Sequence, residues 1–388
     1  MESFFKNKTI NLLNLHAGLH RFSNNIFDTF GAIYLIRLGL SFPVVALAWA
    51  GSCTIRFFLR PLSVMFSKKI GLRKALVFGV VVNSGIFFVL SQINGLNFWL
   101  YFYMLYLALS DITYWLPYHS YYAAAGDTNL RGKQVGMQLG FTSVMRMIAP
   151  LVGGILIATT SFSSLYIVAT IVMLTSAFPL FFTKNISPGK DINWREALRS
   201  IDKRGLVMQA GDGILYMHGF IWTIVLFYLV ENYVTFGGLV AFEIFITTIL
   251  FLFLGYYIDK NNGNGRNFSK IGLGLIGIVI IVRAFLVYTV PEIIFSDIII
   301  ALAMTLYFLS FEVGFYNLAK KSTNTLWFHF FGECGWDIGA AIALSASAGL
   351  YTLGVSLRYI ILFSIFGLLI IYKVLMKFYP SKPTNESP

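Results

Sequence analysis

Ten ionisable residues interrupt otherwise apolar runs of this sequence: Asp28, Arg56, Asp111, Arg146, Asp212, His218, Glu243, Glu312, Glu333 and Asp337. A charge taken out of water must be paired or neutralised, because its desolvation is otherwise too costly. Two chemistries follow. One is the fixed ion pair, and Arg146 is expected to pair with Asp28 or Asp111. The other is a carboxyl that takes up and releases a proton. Asp212, Glu243, Glu312, Glu333 and Asp337 give the second half of the chain a surplus of acids. Glu333 and Asp337 stand one helical turn apart, and like charges at that distance resist double ionisation, so they are the leading proton-binding pair.

The first apolar run carries His16, His20, Asn24 and Asp28 at steps of four. Such a stripe stays near one helix face and should look into the protein interior. His16 and His20 lie toward its inner end and are assigned to the membrane interface. Their spacing could hold a metal, but Ala17 stands where a zinc protease helix has glutamate, so no metal site is expected. Tyr114, Trp115 and Tyr118 near Asp111, and Trp222 near His218, are rings that could stack on a solute or simply pack.

These residues need elements to hold them. The chain is 57% hydrophobic and only 12% charged. A soluble domain carries about 25% charged residues, so an all-α polytopic membrane protein is implied. Runs long enough to cross a bilayer fall near 11–37, 42–66, 73–93, 97–124, 132–159 and 163–183, then 205–231, 236–257, 270–290, 293–318, 325–351 and 355–377. Residues 184–204 form the longest polar stretch and divide the chain into a six-helix bundle over 1–183, a connector, and a second bundle over 205–388. Trp194, Leu198 and Ile201 in the connector recur at helical spacing, which suits a short surface helix or a partly ordered tether.

Lys and Arg cluster in the N-terminus, alternate loops, connector and tail, while the opposite loops hold Arg37 and Arg358. The positive-inside rule then puts both termini and the connector in the cytoplasm of a cell-membrane protein. It also accounts for the net charge of +12 without a nucleic-acid partner. The four Asn-x-Ser/Thr matches all fall on that inner side, so glycosylation is not expected. The N-terminus lacks a signal-peptide pattern, and the first apolar helix is expected to start insertion. Cys53 and Cys334 sit in apolar runs and imply neither disulfides nor a metal cluster.

Two halves of six helices and an inner connector resemble the major facilitator superfamily. Its signature loop after helix 2 has the form G-x-x-x-D-R-x-G-R-R. Here Arg60 and Pro61 precede Ser67-Lys68-Lys69-Ile70-Gly71-Leu72-Arg73-Lys74, with Lys68 in place of the aspartate. A second copy, from Gly255 to Gly263, keeps an acid at Asp259. The resemblance implies two pseudo-symmetric bundles around a chamber, and a latch from Asp259 to the start of helix 5 near Arg131 and Gly132. The run Ala149-Pro150-Leu-Val-Gly153-Gly154 is similar to the exporter signature of that family and also suits plain helix packing.

The resemblance implies a secondary active transporter for a small solute, and the buried acids imply proton coupling. Export is favoured by the helix 5 run. An uncoupled facilitator, an uptake symporter, a sensor and an intramembrane enzyme are the alternatives. No ATP-binding loop of the Walker type, nucleophile elbow or cofactor motif occurs, so no enzyme activity or cofactor is expected. Mixed charge suits a polar or zwitterionic solute, and a monomer is the default assembly.

Overall fold

An apolar run in lipid must satisfy its backbone groups internally, which leaves the helix as the solution for a chain of this pattern. The computed structural model describes residues 7–126, 131–187, 194–199, 201–260, 265–321 and 325–379. In chain order the helices are α1 (Lys8–Arg37), α2 (Phe42–Ile70), α3 (Leu72–Ser84), α4 (Ile86–Ser91), α5 (Phe98–Ala125), α6 (Arg131–Thr159), α7 (Phe162–Thr175) and α8 (Phe178–Phe181). They continue with α9 (Trp194–Arg199), α10 (Lys203–Val230), α11 (Tyr233–Lys260), α12 (Arg266–Leu286), α13 (Val290–Lys321), α14 (Thr325–Thr352), α15 (Leu357–Ile360) and α16 (Ile365–Phe378), the last two joined by a 3-10 turn. The connector does hold a short helix, α9.

Three expected single spans are divided: 355–377 by the 3-10 turn between α15 and α16, and two others beside tertiary hydrogen bonds. The 73–93 run divides into α3 and α4 at Gly85, where the Tyr106 hydroxyl donates to the Val82 carbonyl at 2.8 Å. The 163–183 run divides into α7 and α8 near Ser176, whose carbonyl accepts from His16 Nδ1 at 2.8 Å. In both, a side chain of another helix donates to a carbonyl close to the point of division.

Among the described residues, nine helices are long and apolar enough to cross a membrane. The other three expected spans are α1, α5 and α14, of 30, 28 and 28 residues. They are long enough, at about 1.5 Å per residue, to reach across.

The helices fall into two compact units. Unit 1 comprises residues 1–191 and 231–245, and unit 2 comprises 192–230 and 246–388. In unit 1, α1 packs on α6 and α7, and α5 packs on α2 and α3. The start of α11 closes on α6: a Cβ at Gly154 would lie 2.3 Å from the Tyr233 carbonyl oxygen, and one at Gly237 would lie 2.2 Å from that of Pro150. In unit 2, α10 packs along α14 and α16, and α12 along α13.

The two units repeat one contact. Arg73, at the start of α3, donates to the Thr183 carbonyl at 2.9 Å. Arg266, at the start of α12, donates to the Met376 carbonyl at 2.9 Å and also to that of Tyr379. Both arginine-to-carbonyl separations are 110 residues. Each unit thus ties the start of its third long helix to the end of its last by the same side chain.

Asp202 caps α10. Its carboxylate accepts from the Arg204 backbone N–H at 2.8 Å and from the guanidinium at 3.2 and 3.0 Å. Partial burial works to raise its pKa, but the Arg204 side-chain and backbone hydrogen bonds outweigh it and hold the carboxyl below the usual range. A depressed carboxylate stabilises the fold above its unfolded pKa, and that contribution disappears as pH falls through the folded value. Asp202→Ala should therefore cost about 1 kcal/mol at neutral pH and close to nothing in strong acid. Thermal unfolding of the pair across pH checks this; a gap that widens in acid contradicts it.

Candidate functional site

In unit 1 the α1 stripe turns Arg21, Asn24, Asn25 and Asp28 toward neighbouring helices. Asn24 Nδ2 donates to Asp28 Oδ2 at 2.8 Å. Asn25 Nδ2 donates to the Arg146 carbonyl at 2.9 Å, which fixes α6 against α1 at that level. Asp28 and Arg146 are both exposed, well inside long helices. The expected partners for Arg146 are corrected here. Asp111 forms its ion pair with Arg56, whose other nitrogen donates to Cys53 Sγ at 3.7 Å. Arg146 lies within Coulombic range of Asp28 and Glu243, without a direct ion pair to Asp28. Asp111 was closer to α2 because α5 packs on α2, a choice that spacing along the chain does not encode.

His16 and His20 are fully buried, not at the interface as expected. A carbonyl only accepts, so His16 Nδ1 carries the proton it gives to Ser176, and the neutral ring's Nε2 accepts from the Tyr114 hydroxyl at 3.0 Å. Asn83 donates to the Gly79 and Ser110 carbonyls, which turns its Oδ1 toward His20 Nε2 at 3.3 Å. The His20 ring stacks on Tyr114, centroids 3.6 Å apart, and Tyr114 stacks on Tyr118 at 5.6 Å. Gln138 donates to the Tyr118 hydroxyl at 2.5 Å. Tyr114 and Tyr118 are thus buried packing. Trp115 is half-buried and carries the Arg21 guanidinium over its ring at 4.3 Å. Arg21 did not stand out in the sequence because it follows His20 at the supposed inner end.

Unit 2 holds two polar clusters. In the first, the fully buried Arg283 donates to Asp297 at 2.6 Å, to Ser296 at 3.2 Å and to His218 Nε2 at 3.4 Å, and lies 4.4 Å over the Trp222 ring. His218 and Trp222 therefore serve an ion-pair network linking α10, α12 and α13. Asp297 was missed from sequence; the signal was a buried arginine in α12 that needed an acid on an adjacent helix.

In the second cluster, the Tyr307 hydroxyl donates to Asp212 Oδ1 at 2.6 Å. Glu333 lies within Coulombic range of Asp212, and both lie within that range of Glu312. Glu333 thus joins acids from α10 and α13. Asp337, one turn along α14, is buried. Among the described residues, no group of three or more His, Cys, Asp or Glu is arranged to hold a metal.

No family model matches the chain, and no curated protein matches it. Solved structures do. The POT family transporter PepTSo superposes with a TM-score of 0.71 at 12% identity, covering 95% of this chain and 98% of that one. An auto-inhibited POT family peptide transporter gives 0.69 at 11%, covering 98% and 99%. The nucleoside transporter NupG gives 0.72 at 11%, covering 96% and 100%. The chain shares the fold of these three proteins, in line with the resemblance of its sequence to the major facilitator superfamily. All three proteins are transporters.

The residues that resemble the major facilitator signature can now be placed. Arg60 is buried and Pro61 lies within α2, so both belong to the helix that leads into the loop. Gly71 ends α2 at φ 85°, a left-handed conformation that glycine adopts without strain. Asn185 fills the place beside it: its Oδ1 accepts from the Arg73 N–H at 3.1 Å and its Nδ2 donates to the Ile70 carbonyl at 3.0 Å. The loop of the first half is thus built around an amide from the segment after α8. Gly255 lies in α11, and the side chain of Asp259, with the latch assigned to it, lies outside the described residues. In the exporter-like run, Gly153 accommodates the Phe30 ring and Gly154 the α11 backbone, both packing roles.

Proposed function

We propose that this protein is a secondary active transporter that moves a small polar solute by alternating access, coupled to protons. One observation carries the reading: Asp28 and Arg146 are exposed well inside long helices of a membrane fold. A charge facing acyl chains costs several kcal/mol, so charged side chains at that depth mark a water-filled path. The acids of unit 2 support coupling. Asp212, Glu312 and Glu333 converge from three helices, and carboxyls gathered in one place are candidates to share a proton. This trio replaces the Glu333–Asp337 pair as the proposed proton site. Both termini face the cytoplasm of a cell membrane, the protein works as a monomer without a cofactor, and export rests on the helix 5 run alone.

Flux into liposomes containing the purified protein tests this. Labelled solutes that follow an imposed pH gradient, with Asp28→Asn reducing flux to near background, are the expected result. Flux indifferent to the gradient removes the coupling and leaves a facilitator. Solute binding with no flux at all removes the carrier.

A further inference from the structure

We propose that Arg21 and Arg146 together bind an anionic group, a carboxylate or a phosphate, on the transported solute. This deepens the carrier reading and rests on it. Arg21 is held by the flat face of Trp115, not by a carboxylate, so its fork of N–H donors stays available. Arg146 is exposed, and its backbone is fixed by Asn25, one turn beyond Arg21 on α1. The two guanidiniums are within Coulombic range of one another, an unfavourable placement that an anion between them would relieve.

The acids of this face do not fill that role. Asp111 is engaged by Arg56. Asp28 takes the Asn24 amide and lies within Coulombic range of both arginines, with no direct ion pair to either. Asp28 and Glu243 lie within Coulombic range of Arg146, as Asp28 does of Arg21, so they offset charge in the unloaded state without capping either fork. The other groups near Arg21 are His20, His119, Tyr114 and Tyr118, none of which is an acid at neutral pH. Planar bidentate recognition is the task to which guanidinium is suited.

Thermal unfolding of the purified full-length protein in nanodiscs, with matched probes, tests the assignment. The pairs are glycerol and glycerol 3-phosphate, glucose and glucose 6-phosphate, and N-acetylalanine amide and N-acetylalanine. At least one anionic member should raise the melting temperature while its neutral twin does not, and which pair responds separates phosphate from carboxylate. Arg21→Gln and Arg146→Gln should each raise the apparent Kd about thirtyfold, and the Lys variants less. Arg204→Gln, on the surface, should leave binding unchanged. If a Gln variant is poorly folded, its Lys counterpart still reports, because lysine keeps the charge and loses the fork. Equal binding of neutral twins, undiminished binding by the Gln and Lys variants, or no response to any anionic probe overturns the proposal. Flux of a neutral solute in liposomes would end the anion site and leave the carrier standing, whereas anion binding without flux would do the reverse.

Discussion

Arg283→Met alone, or Asp297→Leu alone, is expected to destabilise the protein by about 3–5 kcal/mol, the largest stability loss of any single polar substitution considered. The Arg283–Asp297 pair is fully enclosed, with side-chain exposures of 2% and 1%. Removing one ion strands the other where water cannot reach it. The double variant removes both charges and puts apolar side chains of similar length in their place, so most of the loss should be recovered. The Arg204–Asp202 pair gives the contrast. Its arginine side chain is 59% exposed, and breaking the pair through Arg204 should cost under about 1 kcal/mol. Unfolding of the purified variants measures all four. Should the double variant prove as unstable as the sum of the singles, the charges would be contributing more than mutual compensation.

Glu312→Gln, Glu333→Gln and Asp212→Asn should each cut solute movement driven by a pH gradient about tenfold or more, while exchange of solute at equal concentrations persists. A neutral amide keeps the shape and hydrogen bonding of the site but cannot carry a proton. Gradient-driven transport needs that proton on every cycle; exchange does not. Tyr307→Phe removes the 2.6 Å donor to Asp212 and should produce a smaller loss. Asp297→Leu is unsuitable as a control because it disrupts the fold, whereas Asp202→Ala lies outside the membrane and should leave coupling intact. If exchange and driven transport fell together in all three variants, the acids would be binding solute instead of protons.

The helical architecture was legible because it rests on long apolar runs, a local property of the chain. The stripe on α1 was also legible, since its residues recur every helical turn. Partner choice was not. Arg146 and Arg56 are both buried-helix arginines in sequence, and only the packing of α5 on α2 decides that Asp111 goes to Arg56. Arg283 could be recognised as needing compensation, but its acid lies on the next helix among residues that look like an ordinary span start. The breaks at Gly85 and Ser176 were invisible for a related reason: the Tyr106 and His16 donors beside them are not near in sequence.

Unit 1 is not contiguous. Its second piece, residues 231–245, reaches the ribosome exit only after the 39 residues from 192 to 230, which belong elsewhere. A nascent chain halted in the connector would leave the backbone around Pro150 and Gly154 without the α11 segment that closes on it. Translation of the later half is thereby needed to finish the earlier one, so fragments severed at the connector and produced alone should be cleared by membrane quality control, and co-production should rescue them.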